Sequence, residues 1–350
     1  MPVNICINTI KGDFIMAKIP EPVQHISALI DQAHEARQEQ PRPHLGCSGL
    51  GHHCDRWLWL SFRWAIVEQF QGRILRLFRR GHLEEPQIIS DLRAIGIDID
   101  GSQNRVDFGS HVSGSVDGII HNGVPTAENT KHLAEFKTHS KKSFDDLKKG
   151  VQASKPMHYV QMQVYMLGLK LKRALYVAVC KDDDRLHTER IHFDIDVAKK
   201  AVARGKRIAL SDRLPEPCSG ASKAWYLCKF CAAYKFCHEN EPTKQGNCRT
   251  CAHATAKADS TWRCERHNSE NIPLDYQRTG CDSHVIHPDL VPYKRKEAES
   301  EWEAIYIING KEVLNGESGY SGQEIIANPD QCASGGGDKL REAFNGRFIG

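Results

Sequence analysis

The run His132-Leu133-Ala134-Glu135-Phe136-Lys137-Thr138-His139 decides how the rest of the chain is read. As a strand it sends alternate side chains to opposite faces, so Glu135 and Lys137 leave the same face. The strand-like run before it, 111–120, contains Ser115-Val116-Asp117-Gly118, and a turn-rich link with Asn122-Gly123 joins the two as a hairpin. That hairpin brings Asp117 beside Glu135 and assembles two carboxylates and a cation. Oxygen ligands of this kind suit Mg2+ or Mn2+, which hold phosphate oxygens and lower the pKa of a bound water. Lys137 can orient that water or neutralise charge in the transition state. The chemistry implied is phosphodiester hydrolysis. A lone Glu-x-Lys on an exposed edge strand shows the same alternation, so the surrounding sequence carries the decision.

Upstream, apolar residues at helical spacing over 22–38 predict a helix, and a Pro- and Gly-rich loop follows at 41–51. Residues 55–80, with Trp57, Leu58, Leu60, Phe62 and Trp64, read as a largely buried helix and turn. A separate helix is expected over 81–96, closed by Gly96 as its C-terminal cap. Downstream come a basic helix near 143–149, a longer one over 156–170, strands at 173–180 and 186–194, and a helix near 195–211. This order predicts an α/β fold, a central mixed sheet flanked by helices, rather than a sandwich or a bundle.

The chain has 350 residues, 40% hydrophobic and 26% charged, and a mean hydropathy of −0.50. With no apolar run of about 18 residues, a membrane span is excluded. The first residues lack a signal peptide's regions, which predicts a cytoplasmic protein. Residues 1–21 carry little pattern, and Met16-Ala17-Lys18 would serve equally well as a start. Net charge is only +3, but residues 131–181 hold eleven Lys or Arg against three Asp or Glu, and residues 297–330 hold eight acids against one Lys. Lys141, Lys142, Lys148, Lys149 and Lys155 follow the core motif closely and are expected to contact phosphates without regard to sequence. Thirteen cysteines in a reducing compartment point to metal rather than disulfides.

Several motifs in this order resemble the PD-(D/E)xK nuclease superfamily. Within it they are similar to the branch of lambda-type phage exonucleases, CRISPR adaptation nucleases and the nuclease domains of bacterial recombination helicases. The likeness covers about residues 44–240. Gly81-His82-Leu83-Glu84-Glu85-Pro86 looks like the family's glycine, gap and glutamate, which favours Glu85 as a first metal ligand, with His82 as an alternative. Asp117 and Glu135-Phe136-Lys137 look like the family core, where the Phe136 carbonyl also touches metal; Val116 stands where the family has proline. Gln161-Met162-Gln163-Val164-Tyr165 resembles the Gln-x-x-x-Tyr element beside the site, which adds Gln161 and Tyr165. The resemblance implies a restriction-endonuclease-like core in a Mg2+- or Mn2+-dependent DNA exonuclease of phage recombination or end processing. The alternatives are a structure-specific or adaptation-type endonuclease, and a DNA-binding recombination scaffold that does not cut. DNA is the implied partner, a single-strand annealing protein is a second candidate, and an oligomer is compatible.

Cys228-x2-Cys231-x5-Cys237 supplies three thiolates just past this core, and Cys54 resembles the lone upstream cysteine of the branch's iron–sulfur members. A 4Fe–4S cluster is therefore expected, with Cys47 as the competing fourth ligand and tetrahedral zinc as the rival metal. Cys248-x2-Cys251-x12-Cys264-x16-Cys281 loosely resembles a zinc ribbon, with His253, His267 or His284 able to substitute. Structural Zn2+ is expected there, because residues 240–290 hold little apolar sequence. Cys6, Cys180, Cys218 and Cys332 have no partner pattern, and Cys180 is expected in the core. The predicted organisation is an N-terminal extension over 1–21, a nuclease domain over 22–240, a Cys-rich metal-binding appendix over 241–292, and a small acidic α+β segment over 293–350.

Overall fold

The computed structural model describes residues 25–101 and 104–348. The expectations for residues 1–21 and for Cys6 lie outside them. Helix α1 (His25–Glu35) precedes a short strand at Leu45–Gly46 inside the predicted loop, then α2 (Asp55–Phe62) and α3 (Gly72–Ala94). The central sheet follows: β1 (Ile99–Asp100), β2 (Gly118–Ile120), β3 (His132–His139), helix α4 (Pro156–Leu169), β4 (Arg173–Cys180) and β5 (Leu186–His192), with α5 (Ile195–Ala209) after it. Five strands stand in the order β5-β4-β3-β2-β1, and only the β3–β4 pair is parallel. The sheet is mixed, as expected.

Helices cover both of its faces, which follows from the period-two alternation of β3 and β4. Ala134, Phe136, Leu175, Val177 and Val179 pack with Ile88 and Leu92 of α3 in one apolar cluster. Leu133, Ala174, Tyr176, Ala178 and Cys180 join Met162 and Val164 of α4 and Ala201 of α5 in the other. Burying Ile88 and Leu92 in place of water stabilises the layer by roughly 1.5–3 kcal/mol each. Asp194 caps α5, its Oδ1 accepting from Asp196 N and Val197 N at 3.1 Å.

Two expectations are corrected. The predicted break at Gly81 is absent: α3 runs unbroken from Gly72 to Ala94, through Gly81 and Pro86. A mid-helix glycine costs only about 1 kcal/mol, which packing on the sheet outweighs, and Gly96 does close the turn that follows, at φ +84°. The first half of α3 is also largely exposed rather than buried. The single strand predicted over 111–120 is two: Val112–Ser115 belongs to a separate three-stranded sheet with Leu45–Gly46 and Arg105–Asp107, and the chain crosses into the central sheet only at Gly118. Val116-Asp117 forms the crossover. Gly114 is required just before it, since a Cβ there would meet the Tyr165 hydroxyl at 2.8 Å.

Beyond residue 240 the apolar cluster on the α4 side continues through Trp262, Ile286 and Tyr306. Arg249, 1% exposed, is the junction. Its guanidinium donates to Phe62 O and Pro43 O at 2.9 Å and to Gln277 Oε1, and stacks 3.7 Å over the Trp64 ring. Thr243 Oγ1 donates to Ala65 O at 2.7 Å. The C-terminal residues form a sheet of Lys294–Lys296, Ala304–Ile308 and Lys311–Asn315, followed by helices at Gly322–Ala327, Pro329–Ser334 and Gly336–Phe344. No helix among the described residues is long and apolar enough to cross a membrane.

Candidate active site

Gly118 pairs with Ala134, and that register sets Asp117 level with Glu135. Glu135 is fully buried. Its Oε1 accepts from Gln161 Nε2 on α4 at 2.7 Å and from Lys137 Nζ. Its Oε2 has no partner. Lys137 Nζ also donates to Phe136 O at 3.0 Å and stands 3.8 Å from Asp117 Oδ2, which accepts from Phe136 N at 2.8 Å. Asp117, Glu135, Lys137 and Gln161 are thus one hydrogen-bonded group, with the Phe136 carbonyl at its centre.

Glu85 completes it from α3. Burial, then the charge on Asp117, raises its carboxyl above the ordinary range, while His82 and Lys137 pull it down. His82 Nδ1 lies 3.6 Å from Glu85 Oε1 on the exposed side of the helix. Glu85 shares the field of Asp117 and Glu135. Burial pushes the Glu135 carboxyl up to about 8 against the pull of Lys137, and Asp117 and Glu85 add to the rise. Burial works to lower the Lys137 ammonium, but Glu135 and Asp117 overcome it and raise the pKa. One ammonium facing three carboxyls stays charged. Tyr165 is buried nearby, its phenol pushed up by burial and by Glu135.

Among the described residues no group of three or more His, Cys, Asp or Glu side chains stands in metal-binding array. Lys137 Nζ holds the position between Glu135 and Asp117. The donor set nonetheless fits a hard divalent cation: a carbonyl and three carboxyls, one of them with a buried oxygen that has no partner. A second polar group adjoins it. Tyr176, beside Glu135 in the β3–β4 register, holds His139 Nε2 at 2.8 Å and His158 Nδ1 at 3.0 Å on its hydroxyl. Burial and nearby lysines depress His139 to about 4 and His158 to about 3. The sequence reading passed over both histidines, although His139 follows Lys137 by two residues in a strand and His158 precedes Gln161 by three in a helix.

The expected DNA-contacting lysines follow β3: Lys141 and Lys142 on a short helix (Lys141–Asp145), Lys148 and Lys149 on a 3-10 turn of helix (Asp146–Lys149), and Lys155 just before α4. Lys149 Nζ pairs with Asp146 at 2.5 Å, and Lys155, largely buried, stands 3.7 Å from the same carboxylate. Lys141, Lys142 and Lys148 are exposed or partly so, and none of the five lines the cleft that leads to the site. That cleft, about 920 Å³, runs from Arg37 past Arg42 and Trp57 to Glu85 and Lys137.

Cys54, Cys228, Cys231 and Cys237 lie within electrostatic reach of one another, and burial raises the Cys231 and Cys237 thiols. Cys218, left without a partner by the sequence, hydrogen-bonds Cys54 and makes a fifth thiol of this group, raised to about 11 by burial and then by Cys54. Cys47 is elsewhere: fully buried, its thiol pushed up to about 12 by burial, with Asp107 and Arg105 rather than other cysteines as its charged neighbours. Cys248, Cys251, Cys264 and Cys281 line one small cavity of about 20 Å³ with His253, His267 and His284. Burial and the neighbouring thiols raise Cys248 to about 12, and Cys281 Sγ lies 3.6 Å from His267 Nε2.

No protein-family model and no curated protein matches the chain. Among solved structures it is similar to that of SSO0001, with TM-score 0.40 and 15% identity over 61% of this chain and 97% of the other. It is also similar to an alkaline exonuclease, LHK-Exo, from Laribacter hongkongensis, with TM-score 0.34 and 16% identity over 51% and 90%. A phage-related exonuclease from Haemophilus somnus 129PT gives TM-score 0.28 and 19% identity over 37% and 67%. The side chains of the site, and not these likenesses, carry the functional reading.

Proposed function

We propose that this chain is a divalent-metal-dependent nuclease that hydrolyses DNA phosphodiester bonds, working from ends. The observation that carries the reading is Glu135: a fully buried carboxyl with one oxygen bare, beside Asp117, Glu85 and a committed lysine. Burying such a group serves no structural purpose, since an apolar residue of the same size would cost less. Perturbed carboxyls gathered at the end of a cleft mark chemistry.

Mg2+ or Mn2+ held by Glu85, Asp117, Glu135 and the Phe136 carbonyl would bind phosphate oxygens and lower the pKa of water. Gln161 fixes the Glu135 carboxylate by holding Oε1, so that Oε2 points at one place. Lys137, anchored on the Phe136 carbonyl, presents a permanent positive charge to the phosphate as its negative charge builds. Tyr165 walls the site from water. The motif order over residues 81–165 supports the exonuclease mode and a role in phage recombination or end processing. We further assign a 4Fe–4S cluster to Cys54, Cys228, Cys231 and Cys237 and structural Zn2+ to Cys248, Cys251, Cys264 and Cys281, on the thiol chemistry of the two groups.

Labelled linear and closed circular DNA, each with Mg2+ or with chelator, test the reading. Loss of the linear substrate alone is expected, only with metal. Asp117→Asn and Lys137→Ala should each lower the rate by a factor on the order of 10²–10³ or more while binding survives. Cleavage of linear DNA at wild-type rate by either variant refutes the site, and cutting of the circle refutes the exonuclease mode.

A further inference from the structure

Tyr176 is fully buried on β4, and its hydroxyl is where three elements meet. His139 of β3 places Nε2 2.8 Å from it, and His158 in the first turn of α4 places Nδ1 3.0 Å from it. His139 Nδ1 in turn lies 3.0 Å from Ser143 Oγ on the short helix Lys141–Asp145. The His158 and Tyr176 rings also stack, with centroids 5.9 Å apart and planes inclined by 29°. Burial, then the charges on Glu135 and Glu189, push the phenol above its ordinary range, so it keeps its proton. That proton serves one imidazole only, and the other imidazole must donate its own N–H to the phenol oxygen. With both rings neutral, each contact is a complete hydrogen bond. Apolar residues of the same size would cost less to bury, whereas a fully satisfied polar network confers rigidity and a single arrangement.

What it makes rigid is the frame of the candidate site. Glu135, Lys137 and His139 leave the same face of β3 at two-residue intervals, and Tyr176 pairs with Glu135 in the β3–β4 register. On α4, His158, Gln161 and Tyr165 share one face, at steps of three and four residues. Lys155, the residue before α4, makes no side-chain cap bond. Among the described residues, the hydrogen bond that ties the first turn of α4 to the sheet is the one from His158. The next along the same face is Gln161 Nε2 to Glu135 Oε1 at 2.7 Å, about 4.5 Å further along the helix axis. A roll or slide of that first turn therefore carries Gln161 off the carboxylate.

We infer that His139, Tyr176 and His158 are positioning residues, a pin that sets the first turn of α4 against β3 and β4 and so fixes where Gln161 Nε2 meets Glu135 Oε1. The inference rests on the nuclease reading above and adds to it three residues that touch neither metal nor DNA.

The test compares Tyr176→Phe, His158→Leu and His158→Asn as full-length proteins. The readings are the melting temperature in chelator, Mn2+ affinity by electron paramagnetic resonance without DNA, and kcat and KM on linear DNA. Tyr176→Phe removes the hydroxyl and leaves the ring. It should bind Mn2+ about tenfold more weakly, the low end for groups that orient a metal ligand. Its kcat should fall roughly 10- to 100-fold with KM within about twofold, as a shift of up to about 1 Å at the site would produce. His158→Leu should match it, and His158→Asn, whose amide nitrogen can stand in for Nδ1, should recover most of both. This pair carries the same comparison if Tyr176→Phe does not fold. In a Gln161→Ala background, Tyr176→Phe should change neither reading by more than about twofold, because its effect runs through Gln161.

Wild-type Mn2+ affinity and kcat in Tyr176→Phe, whatever its melting temperature, would reduce the network to core packing and overturn the inference while the nuclease reading stands. Equal losses with and without Gln161, or His158→Asn no better than His158→Leu, would overturn it as well. A wild-type protein that neither binds Mn2+ nor cleaves DNA would bring down the nuclease reading, and the pin with it.

Discussion

Glu135→Gln should abolish the proposed cleavage and, in chelator, gain stability relative to the wild type as the pH rises. The folded carboxyl is raised to about 8 from its ordinary 4.5 by burial. A group raised in this way contributes stability that is fully present below 4.5 and is lost as the pH climbs through the folded value, because the unfolded chain gives up the proton first. Each pH unit in that window costs the wild type about 1.4 kcal/mol, so between pH 5 and pH 7 the loss is roughly 3 kcal/mol. Glutamine has no proton to lose. Its fixed consequences, a weaker bond to Lys137 and an amide nitrogen where Oε2 was, shift the whole curve and leave the slope untouched. At roughly 2 °C per kcal/mol for a chain this long, the two melting temperatures should diverge by about 6 °C over those two pH units. Thermal melts in chelator at pH 5, 6 and 7 read the divergence. Parallel curves would show that the Glu135 carboxyl is not held neutral by burial, and the argument from its bare oxygen would fall.

If Cys54 closes a cluster with Cys228, Cys231 and Cys237, anaerobically purified protein should be brown, and Cys54→Ser should lose iron, sulfide and colour and melt lower; full iron in Cys54→Ser with loss in Cys218→Ser would move the ligand to the fifth thiol. Metal analysis should find about one zinc per chain, and Cys251→Ser should open residues 245–285 to protease without altering the visible spectrum; zinc absent from folded protein counts against the site. His139 and His158, held well below the ordinary histidine range, each contribute stability that is present above pH 6.5 and lost as the pH falls toward about 4, at up to about 1.4 kcal/mol per pH unit. His139→Gln/His158→Gln should flatten urea-derived stability across that window, and an unchanged slope would contradict their neutral burial.

The central sheet was legible because β4 is an eight-residue strand with an apolar run from Ala174 to Cys180, and β3 carries Leu133, Ala134 and Phe136 around its Glu-x-Lys pair. The site's core was legible for a related reason, since Glu135 and Lys137 sit on one strand and a hairpin is the simplest way to add Asp117. What escaped the sequence is what depends on a third dimension. The split of 111–120 between two sheets comes with a Gly114 that has no room for a Cβ beside the Tyr165 hydroxyl, a constraint set 51 residues away. Continuity of α3 through Gly81 depends on the sheet beneath it, against which Ile88 and Leu92 pack. Cys218 has no spacing rule to announce it, because its neighbour Cys54 comes from the other side of the whole central sheet.

Arg249 bears on how such a chain can be inherited. Its guanidinium is the donor for the Phe62 and Pro43 carbonyls, and Thr243 serves Ala65 in the same way. A gene fragment ending near residue 240 would therefore encode an α/β core whose Phe62, Pro43 and Ala65 carbonyls have lost these donors. Recombination that shuffles the Cys-rich region as a cassette would break the host as well as the insert. Descendants of this chain are expected to keep or lose residues 243–286 together with the α/β core, and any that trade them must first evolve a new donor to sit beneath Trp64.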